Sequence, residues 1–427
     1  MAGSAHTLSG YSIFSPTYVT KVINDIVIDS QDFGVIDQYI PDRTQEPNYG
    51  TDIVWDEQVF LGGMTAPSDV NATSPIVSGE GARQRRWTPP HFREKTIITG
   101  DRLLNMCQLG TTNNMRKLAT ELNKDIARLR TRIDNRRYWL KWEAVQNNAA
   151  FNVIGNGMQI SLDYSTVGIH PTAAPAWNGA LPTILDDIIG FVSQFRATGF
   201  YPVEAMFGTP VLQTMLADTT IRTLLENQIY RNVQQRNIFN TTPGQAGLTA
   251  FLESIFAGIK FSYYPVGPIV TLVATLPNPG GGVASVVDGP IELFAVDDVV
   301  TMKQPDGTRS SVTLTAVSTT QKTITGAGAH AKGTVFYKRM EFMHRDQFVM
   351  MAKMPPGQIG GDVAAEWVYV GNFHGPGGID KPVSGIVGKT INKENEDPPR
   401  IEVISSFSGG VVVYHTDGPW LSATVLS

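Results

Sequence analysis

The chain has 427 residues, enough to bury a sizeable core and to divide into two or three subdomains. Its formal charge of −5 gives no global reason for nucleic-acid binding, so any such role has to be local. The one cysteine, Cys107, excludes an intramolecular disulfide and a Cys-cluster metal site. No apolar run is long enough to span a membrane, and the N-terminus MAGSAHTLSG lacks the basic-then-apolar build of a signal peptide. The sequons at Asn71 and Asn240 are therefore read as chance, and a cytoplasm is the expected place of synthesis.

Residues 1–49 read as an arm. Its apolar residues, among them Ile26, Val27, Ile28, Phe33, Val35 and Ile36, are too few for a core and too many for water, so it is expected to dock on a neighbouring surface. Residues 50–100 read as a projecting hairpin with no core of its own. A strand-like piece from Asp52 to Leu61 leads to a long polar tip, and a second, from Trp87 to Thr99, returns. Arg83, Arg85, Arg86, Arg93 and Lys95 concentrate basic charge on the returning side; with Trp87 they are candidates for gripping a neighbouring subunit, in preference to nucleic acid.

Within residues 101–182 the dominant signal is one long helix over 112–148. Met115, Leu118, Leu122, Ile126, Leu129 and Ile133, then Leu140 and Ala144, recur at steps of three and four with no Pro or Gly between them. Its length of roughly 55 Å and thin apolar seam predict a strut lying across a sheet, its solvated face supported by Glu121–Lys124, Asp125–Arg128 and Arg130–Asp134 pairs. The basic residues Arg128, Arg130, Arg132, Arg136, Arg137 and Lys141, interleaved with Trp139 and Trp142, could track phosphates; Arg128, Arg132 and Arg136 share one face and are the DNA-facing candidates. The competing reading is a solvated face answered by acids of neighbouring loops, and it is preferred for tight binding.

Residues 183–265 read as an α/β lobe. Thr183 caps a helix bearing Leu185, Ile188, Ile189, Val192 and Phe195; Val203–Gly208 is a strand, and Thr209 is the N-cap of the next helix, with Pro210 at its first position. Residues 266–339 turn to Thr, Val, Gly and Ser and read as an inserted β-barrel or sandwich, with strands at 291–294, 299–303, 311–317, 322–325 and 334–337 and a turn at Pro305-Asp306-Gly307. Residues 340–427 return as strands, ending in a hairpin from Val411 across Asp417-Gly418 to Leu426.

Catalytic chemistry is not signalled. No two of the seven histidines share a helix turn, and no nucleophile elbow, Walker loop or dinucleotide fingerprint occurs. Asp186-Asp187 and Asp297-Asp298 fall at a helix start and a turn, where acids are expected anyway. No enzyme, cofactor or metal site is expected.

Taken together, the order of parts resembles the Hong Kong 97-like fold of tailed-phage major capsid proteins. Two stretches sharpen this toward the lambda-like major capsid protein E family: Ser78 to Asn105 (SGEGARQRRWTPPHFREKTIITGDRLLN) and Leu118 to Val145 (LATELNKDIARLRTRIDNRRYWLKWEAV), with its paired arginines. Glu396-Asp397-Pro398-Pro399 before apolar strands is similar to relatives in that family, whereas the β-domain at 266–339 departs from it. The resemblance implies an α+β shell subunit with an N-arm, an E-loop hairpin, a P-domain holding the spine helix, an axial A-domain and an inserted all-β subdomain. It also implies hexamers and pentamers of the chain itself in an icosahedral head around double-stranded DNA, a separate scaffolding protein, a portal and a decoration protein or its substitute. Two other classes compete: a nucleic-acid-binding protein using the basic hairpin and helix, and a secreted carbohydrate-binding or hydrolytic protein suggested by the β-rich second half.

Overall fold

The computed structural model describes residues 16–25, 34–43, 52–58, 82–99, 101–102, 114–155, 158–231, 245–264, 269–274, 283–284, 287–326, 330–353, 364–371, 385–393, 396, 400–415 and 418–427. In chain order these form α1 (Pro16–Asp25), a 3₁₀ turn (Gly34–Gln38), β1 (Ile53–Gln58), β2 (Ala82–Trp87), β3 (His91–Thr99), α2 (Asn114–Gln146), β4 (Phe151–Gly155) and β5 (Met158–Leu162). There follow α3 (Ile184–Ala197), β6 (Tyr201–Gly208), α4 (Thr209–Ala217), α5 (Thr219–Arg231), α6 (Gln245–Ile255) and β7 (Lys260–Tyr264). The third quarter holds β8 (Ile269–Ala274), β9 (Val283–Ala284), β10 (Val287–Asp288), a 3₁₀ turn (Ile291–Leu293), β11 (Val299–Lys303), β12 (Arg309–Ser318), β13 (Thr323–Gly326) and β14 (Val335–Arg339). Last come β15 (Gln347–Lys353), β16 (Ala365–Tyr369), β17 (Val387–Lys393), β18 (Arg400–Val413) and β19 (Trp420–Thr424). Two compact units result, one of Met1–Lys141 with Met354–Thr416, the other of Trp142–Lys353 with Asp417–Ser427.

The first unit is organised around β18. Its run IEVISSFSGGVVV does not alternate, as expected of a strand buried on both faces, and all but Arg400 are buried. β3 pairs antiparallel along one edge from Arg400 to Ser408, while β17 and then β16 pair along the other. α1 lies on β17, where Val19 and Ile23 are fully buried. The approach depends on Gly388, because a Cβ there would stand 2.5 Å from Val19 Cγ1 and 2.7 Å from Ile23 Cδ1. Thr20 completes the seat: its hydroxyl donates to Gly388 O at 3.0 Å. The surface that receives the described part of the arm is thus the chain's own; Ile26, Val27, Ile28 and Phe33 lie outside the described residues.

β1 and β2 form the base of the hairpin, in register from Ile53–Trp87 to Gln58–Ala82. The returning strand is therefore the basic run itself, and the expected strand from Trp87 to Thr99 is two strands in different sheets. Pro89-Pro90 supplies no N–H to a ladder and separates them. The base is not coreless: Ile53, Trp55 and Trp87 pack with Val368, Val370 and Val412, and Trp55 Nε1 donates to Val413 O at 2.9 Å. The tip lies outside the described residues.

The second unit holds a four-stranded sheet in the order β19-β15-β6-β7. β6 and β7 are parallel, joined by the crossover through α4, α5 and α6, and the other neighbours are antiparallel. Phe348 sits at its centre, stacked on Phe207 at 6.2 Å between centroids and ringed by Trp177, Phe191 and Phe261. Helix α3 turns Ile184, Ile188, Phe191, Val192 and Phe195 inward. Ile189, expected on that stripe, is 54% exposed, since one helix face cannot bury every apolar residue of a helix this rich in them. The N-cap of α4 is Gly208, one residue before the expected Thr209.

Between β7 and β15 the chain forms a seven-stranded antiparallel sheet in the order β10-β8-β14-β11-β12-β13-β9. Alternation sends Leu272, Val300, Met302, Val312, Leu314 and Phe336 to one buried cluster and Val299, Thr301 and Thr313 outward. Val287 N–H donates to Lys322 O at 2.9 Å, drawing the β10 end of the sheet toward β13 so that it curls around its core. Where a strand is expected at 291–294, Ile291–Leu293 form the 3₁₀ turn and Phe294 follows it extended, so that both Ile291 and Phe294 reach that cluster. The expected terminal hairpin is also corrected. Val411 pairs with β16, whereas β19 pairs with β15, so the two strands belong to different sheets.

Candidate functional site

Helix α2 carries the densest set of charges, and the structure divides them by role. Toward its C-terminal half the helix is buried nearly all round, with Ile133, Asp134, Arg137, Tyr138, Trp139, Leu140, Lys141 and Trp142 each under a tenth exposed. A solvated strut is therefore the wrong description of this half. Lys141 is fully buried, and its three donors are all used: Asp37 Oδ1 at 2.5 Å, Ile40 O at 2.7 Å and Asp42 Oδ1 at 2.8 Å. Arg137 reaches Asp42 Oδ2 at 2.5 Å and Tyr369 OH at 3.2 Å, and Tyr369 in turn donates to Asp42 at 2.9 Å. Tyr138 OH donates to Asp37 Oδ2 at 3.1 Å.

These contacts pin the segment Gly34–Arg43 to the helix. Burial alone would raise the Asp42 carboxyl, but Lys141 and Arg137 outweigh it and hold it below its ordinary value. Burial pushes the Tyr138 phenol up to about 12, and the neighbouring Asp37 adds to the effect. At Asp134 burial wins over Arg130 and Arg137, and its pKa is raised. Sequence reasoning missed Asp37, Asp42 and Tyr369. The available signal was Lys141 itself, a lone cation inside the apolar run YWLKWEAV, which at that position has to be paired.

Of the three candidates for DNA contact, Arg128 is the most exposed and lies 3.6 Å from Asp125. Arg132 binds Glu94 of β3 at 3.0 Å. Arg136 stacks between Phe92 and Trp139, with Cζ 5.3 Å and 4.4 Å from their ring centres. The expected Glu121–Lys124 and Arg130–Asp134 pairs are both present, at 2.6 Å. On the hairpin, Arg85 bonds Glu57 at 2.6 Å and Arg86 bonds Asp52 at 2.7 Å; Arg83 is exposed. Lys95 lies on β3, 3.4 Å from Glu402, beside exposed Arg93. Trp87 packs on the chain's own sheet. The six contact candidates thus fall in two sheets rather than on one strand.

At its last turn α2 holds the loop between β14 and β15. Gln146, fully buried, donates to Phe342 O at 2.9 Å and accepts from His344 N–H at 2.5 Å, while Gln347 Nε2 donates to Gln146 O at 2.9 Å. Glu143 Oε1 lies 3.1 Å from His344 Nε2. Gln146→Leu leaves the buried Phe342 O and the half-buried His344 N–H without their partner and is expected to cost about 2 kcal/mol in urea unfolding, against a few tenths for an exposed control such as Thr131→Ala.

Among the described residues no group of three or more His, Cys, Asp or Glu side chains stands in metal-binding geometry, and no helix is long and apolar enough to cross a membrane. What the chain presents is a scaffold: an internally paired long helix, a hairpin base and an α/β lobe with a β insertion.

This is the plan of a capsid subunit, and comparison with known proteins gives the family. Residues 17–266 match the family described as Phage major capsid protein E, and the chain belongs to it. With that family goes the Hong Kong 97-like fold, whose order of arm, hairpin, long helix, α/β lobe and returning strands this chain follows. The role is structural, in the capsid. Among solved structures, the chain is similar to a phage-related protein from Bordetella bronchiseptica RB50 (TM-score 0.44, 6% identity, 95% of this chain and 96% of that one). It is also similar to the capsid of Myoviridae phage XM1 (0.41, 8%, 92% and 92%) and to a chain of Gordonia phage Cozz (0.40, 9%, 100% and 97%). None of the curated proteins matches it.

Proposed function

We propose that copies of this chain assemble into hexamers and pentamers that close an icosahedral shell around double-stranded DNA. The observation that carries the proposal is a hairpin whose base is seated on the first unit while more than twenty residues separate β1 from β2. A connection of that length is stable when it lies against another subunit. In this reading residues 50–100 are the E-loop, the unit built on β18 and α2 is the P-domain, the α3–α6 lobe is the A-domain near the symmetry axes, and 266–339 projects outward. Arg83, Arg85, Arg86, Trp87, Arg93 and Lys95 are the contact candidates, and Arg83, Arg86, Arg93 and Lys95 among them are exposed. Arg128 is the residue of α2 best suited to weak contact with packaged DNA. A separate scaffolding protein, a portal and either a decoration protein or the inserted β-domain in its place complete the partners, and assembly takes place in the host cytoplasm before the protein resides in the virion.

Deleting Gly63 to Ser78 tests the hairpin's role. The variant is expected to keep the wild-type circular dichroism and unfolding midpoint and to lose shell formation by sedimentation. Shells at the wild-type yield would remove the E-loop assignment.

A further inference from the structure

The loop 340–346 returns the chain from the seven-stranded domain to β15. Most of its fastenings do not respond to pH. Phe342 O and His344 N–H are taken by Gln146, Asp346 O accepts from Val425 N–H at 2.7 Å, and Phe342 and Met343 are buried. One fastening does respond: the His344 imidazole, 3.1 Å from Glu143 on the last turn of α2. Glu143 is itself buried, and its second oxygen accepts from Asn147 Nδ2.

The charged groups around this imidazole come from two elements. α2 supplies Glu143 and the loop supplies Asp346; Glu341 and the exposed Arg345 are the other charged residues of the loop. The third packing element, the start of α4, brings no charge. A Cβ on Gly208 there would stand 3.9 Å from both Glu341 Oε2 and His344 O. The two charged groups that act on the ring, Glu143 and Asp346, are both acids. Burial disfavours the imidazolium, yet Glu143 and Asp346 outweigh it and raise the His344 pKa above the ordinary histidine value.

We infer that His344 is a protonation-dependent latch, holding the return loop of the seven-stranded domain to the last turn of α2 through a charge-assisted bond to Glu143. The sign follows from the direction of the shift. The added stability is fully present below the pKa of the open loop and is lost as pH rises through the native one. The root of the β-domain is firmest in mildly acidic solution and loosens toward alkaline pH.

Hydrogen exchange of the full chain, read by mass spectrometry at about pH 5.5 and about pH 8 and corrected for intrinsic rates, tests it. Wild-type peptides spanning 340–347 are expected to lose protection at the higher pH, by about tenfold for each unit separating native and open pKa values. His344→Gln keeps a hydrogen-bonding group that cannot titrate and should show no step; Glu143→Gln should shrink it. Equal protection at both pH values in the wild type, or a step that persists in His344→Gln, overturns the latch. Should Glu143→Gln fail to fold, the His344→Gln comparison decides alone.

Discussion

Lys141→Met is expected to destabilise the protein by about 3–5 kcal/mol, well above the roughly 1 kcal/mol typical of a point substitution. The reason is not the loss of an attraction but what is left behind. Asp37 and Asp42 would keep their places against α2 with one of their two cations gone, and Ile40 O would lose its donor. A buried ion pair as a whole adds little net stability, whereas a broken one costs its desolvation penalty. The triple variant Lys141→Met, Asp37→Asn, Asp42→Asn should therefore recover a large part of the loss. Urea unfolding followed by tryptophan fluorescence measures both. The pH dependence adds a second reading. Asp42 has a depressed pKa, so its contribution is present above the unfolded value and disappears as pH falls through the native one. The gap between wild type and Lys141→Met should narrow below about pH 4. A gap of under about 1 kcal/mol at neutral pH would show that the cluster does not clamp the segment.

Gly410→Ala is the second large effect. Trp87 lies so close over Gly410 that an added methyl would stand 2.1 Å from its ring carbons, and Trp87 is wedged between the hairpin base and β18. A rigid indole cannot give way as a long aliphatic side chain does, so overpacking of about 1–3 kcal/mol is expected, with a shift in tryptophan fluorescence. In a Trp87→Ala background the same methyl should cost almost nothing. Additive effects in that double-mutant cycle would contradict the wedge.

How much of this was legible in the sequence depends on the range of the interaction responsible. The long helix was readable because its signal is local: steps of three and four uninterrupted by Pro or Gly predict it over 112–148, and it runs from Asn114 to Gln146. The strands of the seven-stranded sheet were readable where alternation holds, as at Val299–Lys303, and failed at Ile291–Leu293, where two apolar residues close together fit a turn as well as a strand. Pairing was not readable. Nothing local says that the strand ending at Val413 and the one beginning at Trp420 part into different sheets, or that β3 joins β18 rather than β1. The fate of the basic residues was likewise hidden. Arg137 and Lys141 look like a phosphate track until Asp37 and Asp42, about a hundred residues earlier, are brought against them. Arg132 and Arg136 are answered from β3 by Glu94 and Phe92. The resemblance to a capsid family rested on the order of parts and two basic stretches, features that survive even where individual pairings were misjudged.

The most direct measurement is negative-stain electron microscopy of the purified full chain, with sedimentation velocity alongside, expressed with and without a scaffolding protein. Closed shells, tubes or rings of five or six subunits are the predicted result. A well-behaved monomer under every condition, scaffold included, would contradict assembly into a shell.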